Sequence, residues 1–155
     1  MDRFDRAILD VLRVDGRIAV TALADRIGLS KTPTLARLRR LEAAGTIRGY
    51  AALVDPDVLG RAHVAFVEVK LSDTREPALR AFNAAVRALP AVEACHMIAG
   101  PFDYLLKVRT RDVAAYRVVL GERISALPHV ASTSTYVAME TVKDPGEEAG
   151  DGRMA

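Results

Sequence analysis

Apolar residues recur three or four positions apart in three stretches of the first 44 residues, which predicts three helices. The helices are expected over residues 5–14, 21–27 and 30–44, and a glycine closes each of them. The side chains expected to face inward are Ile8, Leu9 and Leu12 in the first helix, Leu23, Ala24 and Ile27 in the second, and Leu35, Leu38 and Leu41 in the third. The second helix, its tight turn and the third helix together predict a helix-turn-helix, the layout that places side chains in the DNA major groove.

The segment that follows the third helix, TIRGYAALVDP, predicts one or two short strands. Strands beside three helices would form a wing, so residues 1–54 are expected to be a winged helix-turn-helix domain. The pair Asp55-Pro56 begins a linker, which ends near Gly60-Arg61 and is assigned to residues 55–62.

Beyond the linker the pattern alternates between the period of a strand and that of a helix. Strands are predicted for HVAFVEVKLS, VEACHMIAG, FDYLLKVRT and VASTSTYVAMETVK, with a tight turn at Gly100-Pro101. Helices are predicted over residues 76–89 and 112–127. The order βαββαβ over residues 63–144 is the ferredoxin-like arrangement, so the chain as a whole belongs to the α+β class. Residues 145–155 lack periodic apolar content and are expected to form a disordered tail.

Half of the 155 residues are hydrophobic, which is enough for two modest cores. Because the two predicted domains are small, each core is expected to need a partner surface. In a ferredoxin-like domain the helices cover one face of the sheet. The other face must find a partner, and we therefore expect the protein to self-associate.

Positive charge is concentrated near the third predicted helix. Residues 1–55 hold ten Lys or Arg and seven Asp or Glu, whereas the remainder holds twelve and thirteen. This distribution fits a DNA-binding module joined to a neutral one. No apolar run is long enough to span a membrane, and the chain begins with MDRFDR rather than an apolar export signal. The single cysteine excludes an internal disulfide, so we expect a cytoplasmic protein.

The remaining reactive residues form no catalytic or metal-binding pattern. Cys95 and His96 are adjacent in a predicted strand, so their side chains point to opposite faces and cannot pair. Cys95 is expected to be a buried small hydrophobe. His63, His96 and His129 lack the spacing of metal ligands, and there is no Cys-x-x-Cys, phosphate loop, nucleophile elbow or carboxylate dyad. We expect no enzymatic activity, no metal and no cofactor.

Two blocks of sequence together have a specific resemblance. LSKTPTLARLRRLEAAGTIRGYAALVDPDVLG is followed by CHMIAGPFDYLLKVRT and STYVAMETVK. In this order they resemble the Lrp/AsnC (leucine-responsive, "feast/famine") transcription regulators over about residues 2–144. The resemblance implies a ligand-sensing ferredoxin-like domain, dimers that assemble further, often to octamers, and control of transcription by amino acids. Within the family the chain is most similar to leucine-responsive regulators and proline-utilisation activators, so the effector candidates are leucine and proline.

The resemblance and a helical wheel agree in placing DNA contacts on the third helix. The expected contacts are Ser30, Lys31, Thr32, Pro33, Thr34, Arg37 and Arg40. Hydroxyls, the ammonium and free N–H groups of the first turn can reach phosphates or base edges, and Ser30 is expected to cap the helix. Arg37 or Arg40 can bind guanine in a bidentate manner. The alternative for Arg37 is a structural ion pair with an acid such as Glu42 or Asp25.

The turn GPFD is the expected amino-acid site. Asp103 can accept the ammonium, and backbone N–H groups around Gly100 and Phe102 can donate to the carboxylate, although Pro101 removes one donor. Family members bind effectors where this turn meets a neighbouring subunit. The resemblance adds, by position, Thr133, Thr135, Tyr136 and Val137 of the last strand, with Met97 and Val113 as wall residues. The alternative is structural, with Asp103 accepting backbone N–H bonds of its own turn.

The sequence thus predicts a sequence-specific regulator that binds a double-stranded operator and responds to a free amino acid bound between subunits. The first alternative is an architectural, nucleoid-type protein without an effector. The second is an enzyme, against which the absence of a catalytic constellation argues.

Overall fold

The computed structural model describes residues 1–144, which divide into two compact units. The first unit covers residues 1–53 and contains three helices. They are α1 (Arg3–Val14), α2 (Val20–Ile27) and α3 (Lys31–Ala43). All three predicted helices are present, with ends that differ from the predictions by no more than two residues. The predicted tail, residues 145–155, lies outside the described residues.

The start of α1 is fixed by a reciprocal cap. The Asp2 carboxylate accepts hydrogen bonds from the backbone N–H groups of Phe4 at 2.9 Å and Asp5 at 3.0 Å. The Asp5 carboxylate accepts one from the N–H of Asp2 at 3.1 Å. These bonds satisfy donors that the helix itself leaves unpaired. They also hold two carboxylates side by side at the beginning of α1.

A glycine in the left-handed region joins α2 to α3. Gly28 has a φ of 71°, which a residue with a side chain rarely adopts, and the N–H of Leu29 donates to the carbonyl of Ala24 at 3.0 Å. The tight turn therefore depends on the glycine that the sequence supplies. The three helices enclose a core built on Ile8, Leu23 and Leu41.

The predicted wing strands are not found. Between α3 and residue 62 the described chain forms turns and irregular structure but no strand, so that prediction was wrong. Tyr50, Leu53 and Val54 have the apolar character of a strand, but all three are exposed. A strand also needs a neighbour for its N–H and C=O groups, and no described segment pairs with this one.

The second unit, residues 54–144 of the described chain, contains four strands and two helical segments. They are β1 (His63–Leu71), α4 (Glu76–Arg87), β2 (Val92–Met97), β3 (Tyr104–Thr110), α5 (Val113–Val119), which continues as a π-helical turn (Leu120–Ile124), and β4 (Val130–Val137). All neighbouring strands are antiparallel and lie in the order β2-β3-β1-β4. This confirms the predicted βαββαβ arrangement and the α+β class.

The core of this unit lies between one face of the sheet and both helices. Its buried members include Ala65, Val67 and Val69 of β1, Leu106 and Val108 of β3, Phe82 of α4 and Tyr116 of α5. Because successive strand residues point to opposite faces, Phe66, Glu68 and Lys70 lie on the face that carries no helix. We call this second face the open face. It is the face for which the sequence predicts a partner.

The last strand ends at Val137, earlier than predicted, and the chain then occupies one end of the open face. Asp144 is 8% exposed and forms ion pairs with Lys107 and with Arg109, the latter at 3.0 Å. Lys107 lies opposite Phe66 in the β1–β3 register, which places it on the open face. The open face is therefore covered in part by the protein's own residues 138–144.

Candidate functional site

The outward face of α3 carries an arginine that the sequence analysis did not select. Thr32, Ala36, Arg39 and Ala43 are all exposed and are spaced three or four residues apart, so they form one row along the helix. The Arg39 side chain makes no hydrogen bond or ion pair with another residue of the described chain. Its guanidinium can therefore bind an external anion.

The buried face of α3 is rotated away from the row of leucines on which the prediction was based. Thr34 is fully buried, and its Oγ1 donates to the carbonyl of Ser30 at 2.9 Å, which satisfies the hydroxyl without water. Leu41 is the other buried residue of this helix. When the buried face is centred on Thr34 and Leu41, Arg37 points inward and Arg39 points outward. The structure thus buries Thr34 and does not place it with the exposed residues that the sequence predicts to contact DNA.

The first turn of α3 leaves polar groups accessible. Ser30, Lys31, Thr32 and Pro33 are exposed, as predicted for residues that meet a ligand. Ser30 is the N-cap residue by backbone conformation, but its side chain makes no capping hydrogen bond, so the prediction that its hydroxyl caps the helix was wrong. The hydroxyl and the Lys31 ammonium remain available to a phosphate.

Arg37 and Arg40 are both held by carboxylates at the start of α1. Arg37 Nη1 lies 2.5 Å from Asp2 Oδ2 and 2.9 Å from Asp5 Oδ1. Arg40 Nη2 lies 2.8 Å from Asp5 Oδ1 and 2.9 Å from Asp5 Oδ2. The side chain of Asp5 is only 3% exposed, that of Arg37 is 24% exposed and that of Arg40 is 61% exposed. Arg37 therefore fills the structural alternative, although with other partners than Glu42 or Asp25.

The same contacts set the protonation of these groups. The N–H of Asp5 and then the Arg37 guanidinium lower the pKa of Asp2 to about 2. The N–H of Asp2, followed by Arg37, lowers the pKa of Asp5, while Asp2 and then Asp5 raise the pKa of Arg37. The Arg37 guanidinium also lies 5.4 Å from the centroid of the Phe4 ring. Asp2, Asp5 and Arg37 are thus ionised at neutral pH.

Three residues of this region were missed from the sequence. Arg39 was passed over because the inward face was taken from the leucines alone, whereas the buried residue Thr34 shifts that face. Asp2 and Asp5 stand three residues apart at the start of a helix, which is the spacing of a capping box and was a usable signal. Their partners on α3 could not be assigned without the packing of the helices.

In the second unit, Asp103 makes the structural contacts of the GPFD turn. Its Oδ2 accepts the N–H of Leu71 at 2.7 Å, and its Oδ1 lies 3.4 Å from Lys70 Nζ. Its own N–H donates to the carbonyl of Val69 at 3.0 Å. The side chain is 17% exposed. The carboxylate therefore ties the hairpin to β1, as in the structural alternative, but to a neighbouring strand rather than to its own turn.

The predicted effector residues of β4 lie on both faces of the sheet. Thr133, Thr135 and Val137 are paired with the core-facing residues of β1, whereas Tyr136 lies opposite Phe66 on the open face. Thr135 Oγ1 is 2.5 Å from the hydroxyl of Tyr116, so it is engaged within the unit. Tyr136 and Val137 are exposed. One copy of the chain does not bring these four side chains together.

Two cavities contain two of the other predicted effector residues, Phe102 and Met97. On the open face, a cavity of about 190 Å³ is lined by Glu68, Lys70, Pro101, Phe102, Ser132 and Ser134. Between α4 and β2, a cavity of about 390 Å³ includes Met97, Cys95 and Tyr104 in its lining. Gly100 and Val113 are exposed and line neither of these two cavities. The predicted pocket is thus divided among several places in one copy.

Burial raises the pKa of the half-buried Cys95 thiol, which keeps the thiol protonated and agrees with an apolar role. Among residues 1–144, no three His, Cys, Asp or Glu side chains are placed to hold a metal ion. No helix of that same range is both long and apolar enough to cross a bilayer.

Comparison with known proteins assigns both units. Residues 1–48 match the model of a winged helix-turn-helix DNA-binding domain, and residues 64–147 match that of the Lrp/AsnC ligand-binding domain. The chain is 58% identical over 146 residues to a proline dehydrogenase transcriptional activator of Rhizobium radiobacter, covering 94% of each protein. It is 49% identical to the leucine-responsive regulatory protein of Salmonella typhimurium, over 92% of this chain and 87% of the relative.

A solved structure of a transcriptional regulator from Neisseria meningitidis in complex with L-methionine has a TM-score of 0.86 and 32% identity, covering 93% of each chain. The likeness spans both units and agrees with the family of the sequence relatives. The chain therefore belongs to the Lrp/AsnC family of DNA-binding transcription regulators.

Proposed function

We propose that this regulator binds a specific double-stranded operator through α3 and that its binding responds to a free amino acid held between subunits. Residues 1–54 would be the DNA-binding domain, 55–62 the linker and 63–144 the domain for the effector and for assembly. The cytoplasm, where such DNA is accessible, is its place of action. The observation that carries the proposal is the exposed row of α3, with the unpaired Arg39 guanidinium at its centre.

For DNA we retain Ser30, Lys31, Thr32, Pro33 and Arg40 as contacts, add Arg39, and give Arg37 a supporting role. Lys31 and the hydroxyl of Ser30 lie at the helix N-terminus, where phosphate is favoured by the helix dipole. Arg39 and Arg40 follow between two and three turns later, at a reach suited to base edges. In a dimer, two such helices would meet half-sites about 34 Å apart or a multiple of that distance.

The DNA contact is tested with Arg39→Ala against a matched control, Arg117→Ala, which removes an exposed arginine of α5 in the other unit. Wild-type protein first selects duplexes from a random-sequence library. We expect Arg39→Ala to weaken binding of the selected duplex by roughly 5- to 150-fold, the discrimination of one bidentate contact, with no change in melting temperature. Equal affinity of the two variants for the selected duplex would rule out the proposed face.

For the effector we propose an amino acid with an apolar side chain, with leucine and proline as candidates. The methionine complex of the Neisseria meningitidis regulator and the names of the proline dehydrogenase activators support this class. A pocket shared by two copies would join Met97, Gly100, Phe102, Asp103, Val113, Thr133, Thr135, Tyr136 and Val137, which one copy leaves apart. A thermal-shift screen of the twenty amino acids is the direct test, because a ligand raises the melting temperature by mass action. No shift with any of them would refute the effector.

For assembly we propose a homodimer that associates further, to an octamer by analogy with the family. The apolar side chains exposed near the open face and the end of β4 support this, since Phe66, Tyr136, Val137 and Met139 would be covered by a second copy. Light scattering coupled to gel filtration measures the mass directly. A stable monomer at micromolar concentration would contradict the proposal.

The architectural alternative is less well supported, because the relatives at 48–59% identity are named as regulators. It predicts a low ratio of specific to non-specific affinity, whereas a regulator of this kind is expected to show a ratio of roughly a thousand or more. The library selection described above separates the two, since an architectural protein would enrich no sequence. It also needs no knowledge of the natural operator.

A further inference from the structure

We propose that Asp5 is a positioning residue for DNA recognition. It binds Arg40 through one guanidinium nitrogen, Nη2, and thereby holds the side chain with Nη1 and Nε free to donate to the DNA. This inference rests on the proposed function, because it assumes that α3 enters the groove. Nothing in the family match or in the names of the relatives assigns a role to this carboxylate.

Asp5 holds Arg40 through a single guanidinium nitrogen. Both Asp5 oxygens are within 3 Å of Arg40 Nη2, and Asp5 is buried against α3. Guanidinium has five N–H donors, of which Nη2 carries two. Nη1 and Nε of Arg40 make no hydrogen bond with any other residue of the described chain, and the side chain is 61% exposed. Nη1, with two N–H bonds, and Nε, with one, are therefore available to an external acceptor.

The two arginines that share Asp5 differ in their other contacts and in their exposure. Arg37 contacts Asp5 and Asp2 and lies over the Phe4 ring, with 24% of its side chain exposed. The Arg37 guanidinium is engaged in these contacts and holds the carboxylate of Asp5 in place. Within residues 1–144, the Arg40 side chain forms hydrogen bonds and ion pairs with Asp5 alone, and it is the more exposed of the two. Arg37 thus supports Asp5, and Asp5 in turn orients Arg40.

Holding Arg40 in one orientation changes how its side chain binds DNA. A free arginine side chain samples many rotamers and loses that freedom on binding, whereas a held one has lost it already. Specific recognition of a base edge therefore gains from Asp5. The carboxylate also cancels part of the arginine charge and so weakens attraction to phosphates of any sequence. Both effects raise the ratio of specific to non-specific affinity.

The test uses the full-length protein, a duplex selected by the wild type from a random library, and a scrambled duplex of the same composition. Asp5→Asn removes the charge, and Asp10→Asn is the matched control. Asp10 is exposed on the same helix and contacts neither arginine. We expect Asp5→Asn to lower the affinity for the selected duplex about tenfold. The affinity for the scrambled duplex should stay the same or rise. Asp10→Asn should change the affinities for both duplexes by the same factor, so that their ratio stays the same.

A purely structural role of Asp5 predicts a different result, since partial misfolding weakens both duplexes by the same factor. The double variant Asp5→Asn with Arg40→Ala sharpens the distinction. If Asp5 acts through Arg40, its substitution has little further effect on the ratio once Arg40 is alanine. An equal loss of the ratio in both backgrounds, or an unchanged ratio in Asp5→Asn, overturns the inference.

Arg40→Lys covers the case in which Asp5→Asn does not fold. Lysine keeps the charge and can bind Asp5, but all its donors are on one nitrogen, so it cannot bind Asp5 and the DNA through separate nitrogens. We expect the affinity of this variant for the selected duplex to fall about tenfold and its melting temperature to equal that of the wild type. Wild-type affinity for the selected duplex in Arg40→Lys would refute the inference. A wild type that selects no sequence would instead refute the proposed function itself, so the two failures are distinct.

Discussion

Replacing Asp103 separates its structural contact from its proposed role in ligand binding. Asp103→Ala removes the acceptor of the Leu71 N–H, a bond of 2.7 Å, and leaves that donor without its partner. A hydrogen bond to a charged group contributes about 1.5–3 kcal/mol. The ion pair with Lys70, at 3.4 Å and with the lysine 48% exposed, adds less than about 1 kcal/mol. We expect Asp103→Ala to destabilise the second unit by about 2–3 kcal/mol.

Asp103→Asn is the matched variant, because its amide oxygen can still accept the Leu71 N–H while the charge is lost. We expect it to cost less than about 1 kcal/mol. For a unit of this size, each kcal/mol corresponds to roughly 4–8 °C in melting temperature, so the alanine variant should melt about 10 °C or more below wild type. Differential scanning calorimetry of the full-length protein measures both.

The two variants also test the ligand. If Asp103 accepts the ammonium of the effector, Asp103→Asn should retain the fold and DNA binding but lose the thermal shift with amino acid. Equal destabilisation by asparagine and alanine would refute the reasoning from the Leu71 bond. A normal thermal shift in Asp103→Asn would leave Asp103 with the structural role alone.

Three further predictions concern stability. The folded-state pKa of Asp2 is about 2, below the ordinary 3.8, so its stabilising contribution is present above pH 3.8 and is lost as the pH falls towards 2; acid melting curves should show this for wild type and less for Asp2→Asn. Gly28→Ala places a side chain at a φ of 71° and should destabilise the first unit by about 1 kcal/mol in urea unfolding. Phe82→Ala should cost the second unit about 3–5 kcal/mol by calorimetry, because the ring is fully buried and packs 4.4 Å from that of Tyr104.

Much of the fold could be predicted because its elements carry strong local signals. The alternation of β1 buries one face of the strand in the second unit, and the helical spacing of α1 buries one face of the helix in the first unit. In both elements periodicity and burial agree. The wing failed for the opposite reason. Tyr50 and Leu53 supply strand-like side chains, but a strand is completed by a neighbour, and periodicity carries no information about whether one is present. The early end of β4 at Val137 has no local signal either, since the apolar pattern continues beyond it.

The orientation of α3 shows how a single polar residue can shift a functional face. Leucines alone place Arg37 and Arg40 outward, yet Thr34 is buried because its hydroxyl bonds to the carbonyl of Ser30 within the helix. That bond hides the polarity of Thr34 and turns Arg37 towards α1. A helical wheel that treats every threonine as polar cannot detect this. The capping spacing of Asp2 and Asp5 was visible in the sequence, whereas their pairing across to α3 required the packed structure.

The division of the candidate effector residues between the two sheet faces links ligand binding to assembly. Thr133 and Thr135 face the helices, whereas Tyr136 faces away, so one small molecule cannot touch all three within a single copy. If all of them contact the effector, a second chain must supply part of the pocket. The amino acid would then bind the assembly and not the free chain, and by linkage its affinity would rise with protein concentration as copies associate. Calorimetric titration at several protein concentrations measures this directly, and an affinity that does not change while the mass of the assembly does would place the pocket within one copy.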